Sequence, residues 1–473
     1  MSADEALCLL PATEQARALR DGRCSARELV AAHLQRIERV DPLVNAIVTR
    51  TPERALAAAE EADRRRARGD DLPPLHGLPI AHKDLQDTAG VRTTYGSPSF
   101  SEHVPDTDAL QVARLREAGA ILVGKTNTPE WGAGSHTFNR VFGATRNAWD
   151  TTRSAGGSSG GAAVALACRM LPIADGGDLG GSLRNPAAWS GVFGLRPTPG
   201  LIARWPHSAP WLPFGVEGPM ARTTDDLALL LGAMAGGDPR DPISQRDAHV
   251  DVATPLAADL RGRRVAWSPT LGGLPIDAAI RDALAAALPL LGEVGLDVSE
   301  DEPDLAGADE VFETWRAFMS ATGLGEQYDV NGAEMKGTVR AEVERGRALS
   351  VDQIVRATRL QAALAERALA FFGRYDYLAC PVTQVDPFPI EQEYATAIDG
   401  VPMGSYIEWM RSNSRISVTC CPAISVPIGF SAAGLPVGLQ IVTRPFGERA
   451  LLEVAHALEA CTGLGDRLPP PAA

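Results

Sequence analysis

Two serines and a lysine hold the chemistry that the residue types and spacing of this chain allow. The segment Arg153-Ser-Ala-Gly-Gly-Ser-Ser-Gly-Gly161 is a glycine-rich turn carrying Ser158 and Ser159, and after a short apolar run a second turn, Asp178-Leu-Gly-Gly-Ser182, ends on Ser182. Upstream, Gly77-Leu-Pro-Ile-Ala-His-Lys-Asp84 sets Lys83 at the end of an apolar, strand-like run. A serine hydroxyl is a poor nucleophile at its own pKa and needs a base. Lys83 is the candidate base, because the 45 basic residues include just three lysines, Lys83, Lys125 and Lys336. Arginine keeps its proton in a protein, whereas a buried lysine can lose one. Lys125, within Gly-Lys-Thr-Asn127, reads as structural, and Ser159 as a loop hydrogen-bonder. His82 and Lys83 are strand neighbours and point to opposite faces, which argues against a Ser–His pair. The glycine turns fit neither the P-loop nor the dinucleotide-binding pattern.

The elements that must position these groups can be read from periodicity. Residues 14 to 68 read as helical, with Leu29, Val30, His33, Leu34 and Ile37 on one stripe and an alanine- and charge-rich solvated helix from Glu53 to Arg68. Leu110 to Ala118 predicts a helix followed by a buried strand, Ala120 to Gly124. Ala162 to Met170 predicts a buried helix between the two serine turns. Arg264–Ser268, Ile276–Leu291 and Leu296–Ser299 form a βαβ-like unit. Ala423–Phe430 and Leu435–Val442 flank Ser431-Ala-Ala-Gly434, a hairpin signal. Parallel and antiparallel elements together imply a mixed sheet with helices around it.

Bulk properties narrow the class. The 473 residues, 45% hydrophobic and 22% charged, suit a globular protein with a large core. A net charge of −14 argues against nonspecific binding to nucleic acid or an anionic membrane. The acidic start lacks a signal-peptide pattern and no apolar run approaches the length of a membrane helix, so a cytoplasmic location is expected. Seven scattered cysteines contain no C-x-x-C pair, and the eight histidines show no zinc spacing, so neither disulfides, a metal nor another cofactor is expected.

With these motifs in order, the chain resembles the amidase signature family, the Ser-cisSer-Lys hydrolases, from about Leu10 to Thr462. The resemblance rests on Gly77–Asp84, Leu115–Glu130, Gly156-Gly-Ser-Ser-Gly-Gly161, Asp178-Leu-Gly-Gly-Ser-Leu-Arg184, Gly218-Pro-Met-Ala-Arg-Thr223 and Gly434-Leu-Pro-Val-Gly-Leu-Gln440. It implies an α/β fold: a single large domain, residues 5–465, with a twisted mixed β-sheet core covered by α-helices on both sides, and a disordered tail, 466–473. It implies further that Ser182 is the nucleophile, Ser158 the bridging serine behind a cis Gly157–Ser158 bond, and Lys83 the base. The backbone N–H groups of Leu179, Gly180, Gly181 and Ser182 would form the oxyanion hole, with Asp178 and Arg184 bracing the turn. The chain departs from the commonest family pattern at Ala155, at Gly177 and Leu179 beside Asp178, and at Cys420-Cys421, where a glycine-containing pair is usual. Those departures bear on substrate rather than on reaction type.

The expected activity is cleavage of small apolar or aryl amides, with esters, by a monomer or homodimer. Trp131, Trp205, Trp211, Phe214 and Trp315 are the candidate substrate contacts, with Phe312 and Met319 on the same helix face as Trp315. A carbamate hydrolase could use the same machinery. A glutaminase subunit of a tRNA-dependent amidotransferase is less expected, because it typically carries a Phe-Gly-x-Glu-Val-Lys-Arg-Arg-like helix that is not found here; Lys336-Gly-Thr-Val-Arg-Ala-Glu-Val-Glu-Arg345 is only loosely similar. A catalytically dead binding protein is disfavoured by the presence of Lys83, Ser158 and Ser182 together.

Overall fold

An eight-stranded mixed sheet forms the centre of the computed structural model, which describes residues 3–472. Its strands run in the order Asp297–Glu300, Arg264–Trp267, Tyr377–Pro381, Pro436–Val442, Ala423–Phe430, Phe193–Arg196, Val216–Ala221 and Ile173–Asp178. The first three pair in parallel and the rest antiparallel. Both expected motifs are present. Helix Ala278–Glu293 links the parallel strands Arg264–Trp267 and Asp297–Glu300, and Ala423–Phe430 turns back antiparallel onto Pro436–Val442. Helices flank the sheet; Arg184–Ser190 packs on its central strands and Glu448–Thr462 on strand Ala423–Phe430. Among the described residues no helix is long and apolar enough to cross a membrane.

A second, three-stranded sheet carries the lysine. Strand Pro79–Lys83 lies parallel to Ile121–Thr126, which pairs antiparallel with Ile47–Arg50. The last of these breaks the helical region expected over 14–68: the β-branched pair Ile47-Val48 favours a half-buried strand, and helix Ala26–Val44 stops at Asn45 in a left-handed conformation. That helix begins in a Ser25–Glu28 capping box and buries Leu29, Val30, His33 and Ile37, as its periodicity requires. In helix Pro52–Arg68 the alanines 55, 59 and 62 face inward and the charges face water.

Between the serine turns runs helix Gly160–Ala167, every residue of which is buried. It is apolar all round, the pattern of a helix enclosed on all sides, and its residues are small because its neighbours press close. A Cβ on Gly161 would stand 2.4 Å from the Asn127 backbone nitrogen. The C-terminal tail, expected to be disordered, instead makes a 3-10 turn at Pro470–Ala472, where the Ala472 carbonyl accepts a 2.8 Å hydrogen bond from the buried Arg36 guanidinium. The arginine gives the tail a partner that its proline-rich composition does not reveal.

Candidate active site

Lys83 ends its strand with its backbone N–H donating to Asp175 Oδ1 at 3.2 Å, while Asp175 Oδ2 lies 2.7 Å from His82 Nδ1. One carboxylate on the edge strand of the large sheet therefore fixes the end of the small sheet. The lysine is 1% exposed, and its Nζ donates to Ser158 Oγ at 2.7 Å and Ser159 Oγ at 2.9 Å. Burial lowers its pKa to about 8, against the opposing pull of Glu217, Asp178 and Asp175.

Ser158 follows a cis Gly157–Ser158 peptide, as the resemblance implies. The turn before it is clamped by Thr137, whose N–H and Oγ1 both donate to the Gly156 carbonyl, and whose Oγ1 accepts from Gly160 N. The two serine turns are latched together by a 3.2 Å bond from Ser159 N–H to the Ser182 carbonyl. Ser159 thus holds the turns together and shares the lysine, a closer involvement than the loop bond expected of it.

Asp178 shapes the second turn. Its carboxylate accepts from the N–H groups of Gly181 at 2.9 Å and Leu183 at 3.1 Å, and from Arg184 and Arg196. Burial alone would raise its pKa, but the two guanidinium groups outweigh that and hold the carboxyl well below the usual range. Arg184 continues to Gln440 Oε1 at 2.6 Å on a central strand and to Ser417 Oγ at 2.8 Å at the end of helix Arg411–Ser417, which anchors the turn to both. The Gly181 N–H is thereby committed to Asp178. No acceptor among the described residues takes the N–H of Leu179, Gly180 or Ser182. The donor set expected at this turn is narrowed by one.

Lys83, Ser158 and Ser182 line one cavity of about 730 Å³, and a smaller one of about 200 Å³, bordered by Phe312, Arg316, Met319 and Met410, meets it at Ser182. Of the aromatic candidates, Trp131 and Trp205 line the larger cavity. Trp211 does not; it is 73% exposed. Phe214 and Trp315 are buried against each other, ring centroids 6.2 Å apart, and neither lines the two cavities. A proline-broken loop and a helix face each present several aromatic rings, and tertiary packing takes some of them into the core. Lys125 is fully buried, bonding the Gln86 carbonyl and, at 2.8 Å, Thr88 Oγ1, so it holds a loop rather than a reacting group.

Three cavity residues are not singled out by the sequence motifs. Tyr95 stacks on Trp131 with centroids 4.7 Å apart, and Arg204 donates to Glu217 at 3.3 Å. Glu217 stands one residue before the motif Gly218-Pro-Met220, and that adjacency is the signal that could have found it.

The amidase family profile matches residues 28–452, so the chain belongs to the amidase family, hydrolases of amide carbon–nitrogen bonds. It is 34% identical over 470 residues to an acylamidase of Rhodococcus erythropolis, covering 97% of both chains. It is 36% identical over 467 residues to a glutamyl-tRNA(Gln) amidotransferase subunit of Thermosynechococcus vestitus, covering 93% of this chain and 95% of that one. The crystal structure of a bacterial aryl acylamidase of the amidase signature family superposes with a TM-score of 0.89 at 27% identity, covering 96% of each chain.

Proposed function

We propose that the chain is an acylamidase for small apolar or aryl amides, also active on esters, working through an acyl-enzyme on Ser182. The observation that carries this reading is the 2.7 Å bond from the buried Lys83 amine to Ser158, at a cavity that Ser182 shares. Near neutral pH a lysine with a pKa of about 8 is neutral in a minor but usable fraction of molecules. Neutral Lys83 takes the Ser158 proton, Ser158 takes that of Ser182, and Ser182 Oγ bonds to the carbonyl carbon. The oxygen, now an anion, meets the N–H groups of Leu179, Gly180 and Ser182, donors already in place before charge develops. As the C–N bond breaks, Ser158 returns a proton to the nitrogen, without which an amide anion would have to leave. Water, deprotonated through the same chain, then releases the acid.

Trp131, Trp205, Met319 and Leu324 give the cavity an apolar wall, which supports substrates with an apolar or aryl body. The acylamidase and aryl acylamidase relatives support the same choice. A panel of anilides, aliphatic amides, esters and carbamates with one chromophoric leaving group tests it. Anilides and esters should turn over and lose all turnover in Ser182→Ala; an active Ser182→Ala, or a wild type inert on every amide, refutes it. Preference for the carbamates would make the enzyme a urethanase with the same residues.

The 36% identity to an amidotransferase component favours a second reading, a glutaminase that serves a partner. Turnover of anilides by the isolated chain without tRNA argues for the first; glutamine hydrolysis that needs a partner chain argues for the second.

A further inference from the structure

Glu217 lies on strand Val216–Ala221, 8% exposed, with its carboxylate beside the cavity that holds Lys83, Ser158 and Ser182. Its two oxygens are treated differently. Oε1 accepts from Arg204 Nε at 3.3 Å, whereas Oε2 is buried with no hydrogen-bond partner among the described residues. A buried carboxylate oxygen that has given up water and gained no donor is a standing cost to the fold. The backbone makes room for it: a Cβ on Gly177 would lie 3.1 Å from Oε2.

The other charged groups at this cavity do not answer Oε2. Arg204 is already bonded to Oε1 and to the Gly215 carbonyl, and Asp178 is matched by Arg184 and Arg196. Burial lowers the His207 pKa to about 3, which keeps that ring neutral. Asp87, engaged by the Tyr95 hydroxyl, adds a further acid, so among the described residues that line the cavity Lys83 is the remaining base, and its amine is turned to Ser158 and Ser159. Around these groups stand Trp131, Trp205, Met319 and Leu324. The cavity therefore suits a molecule with an apolar body and one positive or N–H-bearing end.

We infer that Glu217 reads the substrate: its Oε2 accepts a hydrogen bond from an ammonium or other N–H donor carried by the amide, so amino-substituted amides are preferred over neutral isosteres. This rests on the hydrolytic reading above and narrows its substrate class. Glu217 contacts no reacting atom in this role; it sets specificity.

Two matched series test the inference in the whole protein: p-nitroanilides of 4-aminobutyrate and of pentanoate, and butyryl amides of 4-(aminomethyl)aniline and of 4-ethylaniline. In at least one series the amino member should lead in kcat/KM by about tenfold or more, chiefly through KM, the scale of one charge-assisted hydrogen bond. In Glu217→Gln, which can still accept from Arg204, that ratio should fall to within about threefold of one. Absence of preference in both series, or a ratio that survives the substitution, overturns the inference. A change in the basic limb of Lys83 would move both members together and leave the ratio alone. Should the variant not fold, wild type supplies the measurement: butylammonium should protect Ser182 from fluorophosphonate more tightly than butanol, and equal protection overturns the inference. An enzyme that hydrolyses no amide at all refutes the hydrolytic reading instead, and calorimetric binding of butylammonium against butanol still reports on Glu217.

Discussion

Lys83 is expensive to keep. Its amine lies in the interior with a pKa lowered to about 8 from 10.5, so the folded state holds its proton less well than the unfolded chain does. The sign follows from linkage: below pH 8 the fold bears the full cost of a buried charge, and stability rises as pH climbs from 8 toward 10.5, where the unfolded chain binds more protons. Lys83→Met should therefore raise thermal stability at pH 7, by on the order of 1–3 kcal/mol, while reducing amide turnover by roughly a thousandfold. Calorimetry and steady-state kinetics on one preparation check both; a variant less stable than wild type would mean that the bonds to Ser158 and Ser159 outweigh desolvation. In wild type kcat/KM should climb along a basic limb with a midpoint near pH 8 and then level, because the proposed mechanism requires the neutral amine. A flat profile from pH 6 to 10, a range of about two units either side of that midpoint, contradicts the role given to Lys83.

The elements around the serines place them by close packing and by one buried acid. Helix Gly160–Ala167 depends on small residues, and Gly161→Ala, whose Cβ would meet Asn127 N at 2.4 Å, should destabilise by about 1–3 kcal/mol. Gly292 is also helical, but a Cβ added there would meet nothing within 4 Å among the described residues, so its replacement by alanine should gain up to about 1 kcal/mol. Chemical denaturation of the pair reads the contrast; equal effects would show that helix propensity, not crowding, decides. Asp178→Asn leaves Arg184 and Arg196 in the interior without their carboxylate and should cost about 3–5 kcal/mol, with turnover lost as the Ser182 turn loosens. Denaturant midpoints and anilide turnover check this; an Asp178→Asn protein of wild-type stability and rate would deny the brace.

Across the molecule, what was legible in the sequence was what short stretches of chain encode. The two glycine turns, the hairpin, the βαβ unit and the scarce lysines carry their meaning locally, so Lys83 and the two serine turns could be singled out although Lys83 and Ser158 stand 75 positions apart. Features made by contacts between distant segments were not legible. Phe214 and Trp315 look like cavity aromatics until they are seen to cover one another, and the tail looks unstructured until Arg36 reaches it. Glu217 has no signal of its own in the sequence beyond its place before Gly218-Pro-Met220, and its setting comes from Gly177 and the cavity that surround it. The strand Ile47–Arg50 was hidden because its partner, Ile121–Thr126, arrives from far along the chain. The same long-range logic joins the two sheets at the His82–Asp175 bond, on which the position of Lys83 relative to Ser158 depends. The most direct test of that assembled relay is covalent labelling by a fluorophosphonate, mapped by peptide mass spectrometry across pH. The label should fall on Ser182, its rate rising with pH to a plateau above the Lys83 midpoint near 8, and should collapse in Lys83→Met. Labelling at another residue, or an unchanged rate in Lys83→Met, would contradict it.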